Sequence, residues 1–258
     1  MAWDDRQYLK FADERTRPAR ELLTRAALPF DAEPARIVDL GCGPGNSTAL
    51  LKARWPGASI TGVDSSPEML RRARADLPDL EWIEADAAQW QAREPVDLLF
   101  SNALLQWLPE HAPLFPRLFS QVRAGGVFAV QLPRNFNEPT HRLMRENDGP
   151  WQERIRAVRL RDSVQSPAFY YDLLAPLASR LDIWQTIYEQ VMPDADAIVE
   201  WVRGTGLRPY LDALHADERD DFIAAYRARI DAAYPPRSDG RRLFTFPRLF
   251  IVAERAAN

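Results

Sequence analysis

The chain has 258 residues, 46% of them hydrophobic, enough for one large α/β domain or a core with a small cap. Its 33 basic and 37 acidic side chains leave a formal charge of −4, so nothing marks it for nucleic acid or a membrane surface. No apolar run is long enough to span a bilayer, and the three scattered histidines (His111, His141, His215) lack metal-ligand spacing, so neither a membrane span nor a metal site is expected.

Residues 5–27 read as a helix, with Leu9, Phe11, Leu22 and Leu23 at apolar positions and a fresh start at Pro18, since proline suits a first turn. The opening MAWDDRQYLKFADERTR is charged throughout and lacks the apolar stretch of a secretory signal. Cys42 is the only cysteine, which suits a reducing compartment, and a cytoplasmic location is expected. ARIVDLGCGPGN reads as a buried strand entering a glycine turn, and Ser47 to Trp55 as the following helix. SITGVDSS is a second strand, Pro67 to Ala75 a helix, LEWIEADA a third strand and VDLLFSNA a fourth. A helix over Ala112 to Val122 leads through a Gly125-Gly126 turn to a fifth strand, GGVFAVQLP.

Alternation of strand and helix predicts βαβ crossovers and a parallel sheet, and the near-continuous apolar strands predict cover on both faces. After Pro133 the rhythm changes. Residues 135–180 read as a helical insertion and RLDIWQTIYEQVM as a strand. Residues 194–234 read as helices broken at Gly204 to Pro209, and LFTFPRLFIVAER as a last strand, at an edge or bulge because of Pro247. The expected fold is α/β, a doubly wound, mostly parallel, seven-stranded sheet with an antiparallel extension and helical caps.

Asp39-Leu40-Gly41-Cys42-Gly43-Pro44-Gly45-Asn46 is the strongest motif. A dinucleotide site wants G-x-G-x-x-G, but here the third glycine comes one residue early. A P-loop needs a lysine that is absent. Asp39 would repel a pyrophosphate and can accept hydrogen bonds from an ammonium group, which favours a zwitterionic amino-acid ligand. Cys42, between two glycines, reads as a small packing residue rather than a nucleophile. Asp64 ends the second strand, where an acid reaches ribose hydroxyls; a helix cap is its alternative reading. Asp86 can accept from an adenine amino group, or be an ordinary loop carboxylate.

VDLGCGPG, these two acids and VDLLFSNALLQW together resemble the class I S-adenosylmethionine-dependent methyltransferases over residues 36–133. The resemblance implies S-adenosylmethionine as cofactor. It implies Asp39, Gly41 and Gly43 along the methionine moiety, with Cys42 and Asn46 in the same loop. Asp64 and Ser65 fall at the ribose, Asp86 with Ala87 at the adenine, and Met69 against the adenine or in the core. Asn102 to Trp107, including Ala103 and Gln106, would line the channel beside the sulfonium. On this reading residues 1–30 form part of a cap, and 31–258 the methyltransferase domain with insertions near 135–180 and 194–235.

WDDRQYLKFADERTRPARELL, QLPRNFNEPTH, DADAIVEWVRGTGLRPYL and the ending AAYPP…DGR…FPRLFIVA resemble the trans-aconitate methyltransferase branch over nearly the whole chain. That implies a small polycarboxylate substrate and a monomethyl ester product. A carboxylate is already ionised at neutral pH, so no obligatory catalytic base is expected. Arginines that grip the other carboxylates are expected instead. Candidates are Arg15, Arg17, Arg134, Arg208 and Arg248, with Tyr8, His141, Tyr210 and Trp201 as hydrogen-bonding or apolar walls; a solvated or core role is the alternative for each. A phenol or amine acceptor, a nicotinamide oxidoreductase and a non-catalytic adenosyl-binding protein are the competing readings.

Overall fold

The computed structural model describes residues 12–27, 33–158 and 162–257, with side chains from Thr16 onward in the first stretch. Strands β1 (Arg36–Leu40), β2 (Ser59–Asp64), β3 (Glu81–Glu84), β4 (Val96–Asn102), β5 (Val122–Pro133), β6 (Ala178–Met192) and β7 (Arg242–Arg255) form one sheet in the order β3-β2-β1-β4-β5-β7-β6. The first five run parallel; β7 runs antiparallel to β5, so the sheet is mixed as the sequence predicts. Strand order reverses between β1 and β4, the switch point where open α/β sheets bind ligands beyond their carboxyl ends.

The apolar run of β4 explains its central place: six of its seven residues are buried. Helix α1 covers Ala12–Ala26, α2 Asn46–Arg54, α3 Pro67–Asp76 and α4 His111–Phe119. Then come α5 (Pro139–Arg145), α6 (Gln152–Ala157), α7 (Pro167–Leu174), α8 (Ala195–Arg203), α9 (Arg208–Ala213) and α10 (Arg219–Ala233). Phe115 and Phe119 of α4 pack on Phe128 of β5, with ring centroids 5.8 and 5.9 Å apart. Among the described residues no helix is long and apolar enough to cross a membrane.

Two compact units divide the chain. The first takes Arg15–Pro133, Ser163–Thr186 and Arg248–Asn258 and holds the parallel strands. The second takes Arg134–Asp162 and Ile187–Pro247, with residues 12–14. It is built on aromatic packing: Trp201 of α8 lies 5.8 Å from Phe244 and 5.9 Å from Phe246, and Trp151 packs edge-on against Phe222 of α10. The Tyr226 hydroxyl donates to the Thr140 carbonyl at 2.9 Å, and Asn147 Nδ2 to the Phe222 carbonyl at 3.1 Å, tying α5 and its exit to α10.

Five local expectations need correcting. Helix α1 runs through Pro18 instead of restarting there. The lost helical bond costs about 3 kcal/mol, which burial of Ala19, Leu22, Leu23 and Ala26 offsets. Gly125 and Gly126 do not precede β5 but form a bulge within it: Val96 faces Val122, yet Leu98 faces Val127. Helix α4 stops at Phe119, and β3 stops at Glu84. Pro247 is neither at an edge nor in a bulge opposite β5, since β7 lies between β5 and β6. Pairing with β5 starts only at Arg248, so the missing N–H of Pro247 breaks no bond to β5, while its carbonyl accepts from Arg134 N at 3.0 Å.

Candidate functional site

The loop after β1 is shaped by what its glycines lack. Gly41 has φ 77°, and its N–H donates to the Val63 carbonyl at 2.7 Å. A Cβ there would fall 2.5 Å from Leu104 Cβ, so the β4 exit packs directly on bare backbone. Gly43 has φ 54°, and a Cβ there would meet nothing within 4 Å. The first glycine is required by packing, the second borders open space. Cys42 is buried with Leu70, Ala73 and Trp82 behind the loop. Burial, then the charges of Asp39 and Asp64, push its thiol far up, so it stays protonated and is no nucleophile.

Asp39 is wholly buried. Its Oδ2 accepts from Ser47 Oγ at 2.7 Å and Thr48 Oγ1 at 2.6 Å in the first turn of α2, while Oδ1 has no hydrogen-bond partner among the described residues. Burial pushes its carboxyl up to about 6 against the two hydroxyl bonds, with Asp64 adding to the rise. Asp64 is not the cap of α3. Ser66 caps it, accepting from Met69 N at 3.3 Å. Asp64 Oδ2 instead accepts from Gly43 N at 2.9 Å and Oδ1 from Ser66 N at 2.9 Å, joining the glycine loop to the β2–α3 turn that also carries exposed Ser65. Met69 is partly buried on α3, and Asn46 opens α2. Asp86 stands exposed in the turn beyond β3, its Oδ1 bonded to Ala88 N at 2.9 Å; the Ala87 carbonyl accepts from Arg117 at 2.8 Å.

The β4 exit is clamped on several sides. Ala103 holds φ 57°, a strained value for a residue with a Cβ, and donates its N–H to the Gln131 carbonyl at 3.0 Å. Gln106 Nε2 donates back to the Ala103 carbonyl at 2.6 Å. Buried His111 bridges the Leu105 carbonyl at 2.9 Å and the Tyr170 hydroxyl at 2.6 Å, which fixes the 3-10 turn Leu105–Trp107. Asn102 Oδ1 and Gln106 Oε1 are buried acceptors with no donor among the described residues, and Trp107 is 53% exposed.

In the second unit, α5 and the turn before α9 meet. A Cβ on Gly206 would fall 2.7 Å from His141 Nε2. Burial and the nearby Arg145 push the His141 imidazole down to about 4, so at neutral pH it offers an N–H but no charge. Arg145 stacks 3.9 Å over the Phe136 ring and bonds the Phe136 carbonyl at 2.7 Å. Arg208 is the first residue of α9, not part of the preceding turn, and lies 3.6 Å from Asp212. Tyr210 is buried near Arg145, and its hydroxyl is pushed up by that burial. Arg134 is partly buried at the end of β5. Trp201, for which the sequence offers both a substrate wall and a core place, is packed against Phe244 and Phe246 in this unit's core. Arg17 is exposed on α1; Tyr8 and the side chain of Arg15 lie outside the described residues.

Sequence reading passed over Gln131, His111 and Arg145. The signal for Gln131 was a lone polar residue inside the apolar run Val127–Leu132. Gln131 is 0% exposed; its Oε1 accepts from Arg248 Nη1 at 3.4 Å, and Arg248 is itself buried on β7.

These groups fit a cationic adenosyl ligand. The unmet atoms of Asp39, Asn102 and Gln106 are acceptors, which suit an ammonium or hydroxyl and repel a pyrophosphate. Gly43 leaves its backbone open to close approach. Among the described residues no acidic, histidine or cysteine cluster is arranged to hold a metal.

Residues 37–126 match a family described as methyltransferase domain. The chain is 64% identical to a protein of Azoarcus sp. strain BH72 named trans-aconitate 2-methyltransferase, across 98% of this chain and 99% of that one. It is 54% identical to a Rhodopseudomonas palustris BisB18 protein of the same name, across 97% and 98%. Among solved structures it is similar in fold to the YcgJ protein of Bacillus subtilis, with TM-score 0.60 and 13% identity over 94% of this chain and 99% of that one. A Haemonchus contortus phosphoethanolamine N-methyltransferase solved with S-adenosylhomocysteine gives TM-score 0.55 and 13% identity over 93% and 52%. The chain belongs to the trans-aconitate 2-methyltransferase family of class I S-adenosylmethionine-dependent methyltransferases.

Proposed function

We propose that this chain transfers the methyl group of S-adenosylmethionine to one carboxylate of trans-aconitate, giving a monomethyl ester and S-adenosylhomocysteine. The observation that carries the reading is identity of 64% over nearly the full chain, both helical insertions included. We place the enzyme in the cytoplasm, with a small polycarboxylate and neither nucleic acid nor membrane as its partner.

When bound, S-adenosylmethionine supplies a methyl group on a positively charged sulfonium. Asp39 Oδ1 would take the ammonium of its methionine end, Asp64 the ribose hydroxyls and Asp86 the adenine amino group. Gly41 and Gly43 would leave room for the ligand, and Asn102, Ala103, Gln106 and Trp107 would border the sulfonium. Cys42, Asn46, Ser65, Met69 and Ala87 would shape the surrounding loops.

The acceptor carboxylate is its own nucleophile and arrives ionised, and Asn102 to Pro109 carries no base. The chain's task is therefore to hold the acid in line and exclude water. Arg208, Arg134 and Arg248 are its candidate grips, with Arg15, Arg17, Tyr8, His141 and Tyr210 as further contacts. Rates on trans-aconitate should far exceed those on phenols and amines; faster turnover of either would overturn the reading.

Two further results are expected. Arg208→Ala should raise the acceptor KM roughly 10–100-fold, the loss of a charge-assisted bond, with cofactor affinity unchanged by titration calorimetry. The second concerns pH. The Asp39 carboxyl is raised from 3.8 to about 6, so without ligand its contribution to stability is complete below its unfolded value and lost as pH rises through about 6. An ammonium ligand needs the ionised form. Binding of S-adenosylhomocysteine should tighten about tenfold between about pH 5 and about pH 7, and Asp39→Asn should flatten that slope.

A further inference from the structure

The polarity of the sheet's carboxyl edge changes sign from one side to the other. Residues in register on neighbouring strands point their side chains to the same face. Asp39 is in register with Phe100, Asn102 with Gln131, and Gln131 with Phe250. Arg248 lies two residues from Phe250 on β7, so Asp39, Asn102, Gln131 and Arg248 share one face. On β1 and the β4 exit, the unmet atoms are acceptors: Asp39 Oδ1, Asn102 Oδ1 and Gln106 Oε1. On β5 the unmet atom is a donor, beside the Arg248 guanidinium of β7. Gln131 Oε1 is turned to Arg248 Nη1 at 3.4 Å, which leaves Gln131 Nε2 as a buried N–H donor with no acceptor among the described residues.

A buried amide N–H without an acceptor is costly to fold around, and natural chains seldom keep one without use. Beside an arginine, it is suited to an anion. The reaction brings a cationic methyl donor against an anionic acceptor, and the edge offers acceptors for the first and donors for the second, side by side.

We propose that Gln131 is a specificity residue that donates its Nε2–H to a carboxylate of the acceptor acid while its Oε1 orients the Arg248 guanidinium. This rests on the carboxylate-methylation reading above. It goes further by assigning the grip to an uncharged residue of the sheet itself.

The test is kinetics of Gln131→Met, which keeps length and removes hydrogen bonding, and of Gln131→Glu, which puts a carboxylate where the acid would lie. Gln131→Met should raise the KM for trans-aconitate roughly 10–100-fold, the loss of a hydrogen bond to a charged group. Its dissociation constant for S-adenosylhomocysteine should stay within about twofold, a split that a merely structural role would not give. Gln131→Glu should be worse than Gln131→Met toward the acid, and equally neutral toward S-adenosylhomocysteine. An unchanged acceptor KM in Gln131→Met, or parallel losses for both ligands, overturns the proposal. If wild-type protein turns over trans-aconitate while Gln131→Met keeps its KM, this inference alone falls. If wild-type protein methylates no acid, the underlying reading falls and takes the inference with it.

Discussion

Asp64→Ala is expected to weaken binding of S-adenosylmethionine and S-adenosylhomocysteine roughly 10–100-fold, the range for hydrogen bonds to a charged group. Two losses combine. The proposed ribose contacts go, and so do the bonds from Gly43 N and Ser66 N, both 2.9 Å, that join the glycine loop to the β2–α3 turn. Asp64→Asn separates them. Its amide oxygen can still accept one backbone bond, but the charge-assisted contact to a hydroxyl is gone. It should therefore fall between wild type and Asp64→Ala in a calorimetric titration. Acceptor KM, measured at saturating cofactor, should change little. An Asp64→Ala protein that binds S-adenosylhomocysteine like wild type would remove Asp64 from the cofactor site.

The second large effect contrasts two neighbouring glycines. Gly41→Ala must place a Cβ 2.5 Å from Leu104 Cβ at a φ of 77°. The left-handed conformation alone costs about 1 kcal/mol, and the overlap with a side-chain root that cannot swing away adds about 1–3 kcal/mol. Melting temperature should fall by several degrees, in the range of about 4 °C per kcal/mol or less for a chain of this size, and turnover should collapse as the β4 exit is displaced. Gly43→Ala meets nothing within 4 Å at a φ of 54°, so its stability cost is the conformational part alone. Its methyl group would project into the space proposed for the ligand. It should bind cofactor far more weakly while melting close to wild type. Equal melting losses for the two variants would contradict the geometry described for this loop.

Much of the sheet unit was legible because its signals are local. VDLGCGPG announces a strand, a tight turn and a helix start, and Pro67 announces the start of the next helix. The misreadings came where tertiary context overrides a local rule. Pro18 sits inside α1 because its face is buried, and Pro247 sits in an inner strand because pairing with β5 starts one residue later. The cofactor loop could be read, but the second oxygen of Asp39 and its two hydroxyl partners could not, since Ser47 and Thr48 look like ordinary helix-start residues. Trp201 shows the limit for apolar walls: an aromatic on a helix face fits a core as well as a pocket, and here the core takes it. Gln131 shows the reverse. A polar residue within Val127–Leu132 is conspicuous, yet its worth emerges only when strand register sets it beside Asn102 and near Arg248.

One measurement tests carboxylate methylation most directly. Purified protein incubated with S-adenosylmethionine and trans-aconitate should yield a product heavier than the acid by one methylene, with one S-adenosylhomocysteine formed for each ester, by mass spectrometry and chromatography. Failure to form that ester, with steady turnover on a phenol, an amine or no acceptor at all, would contradict it.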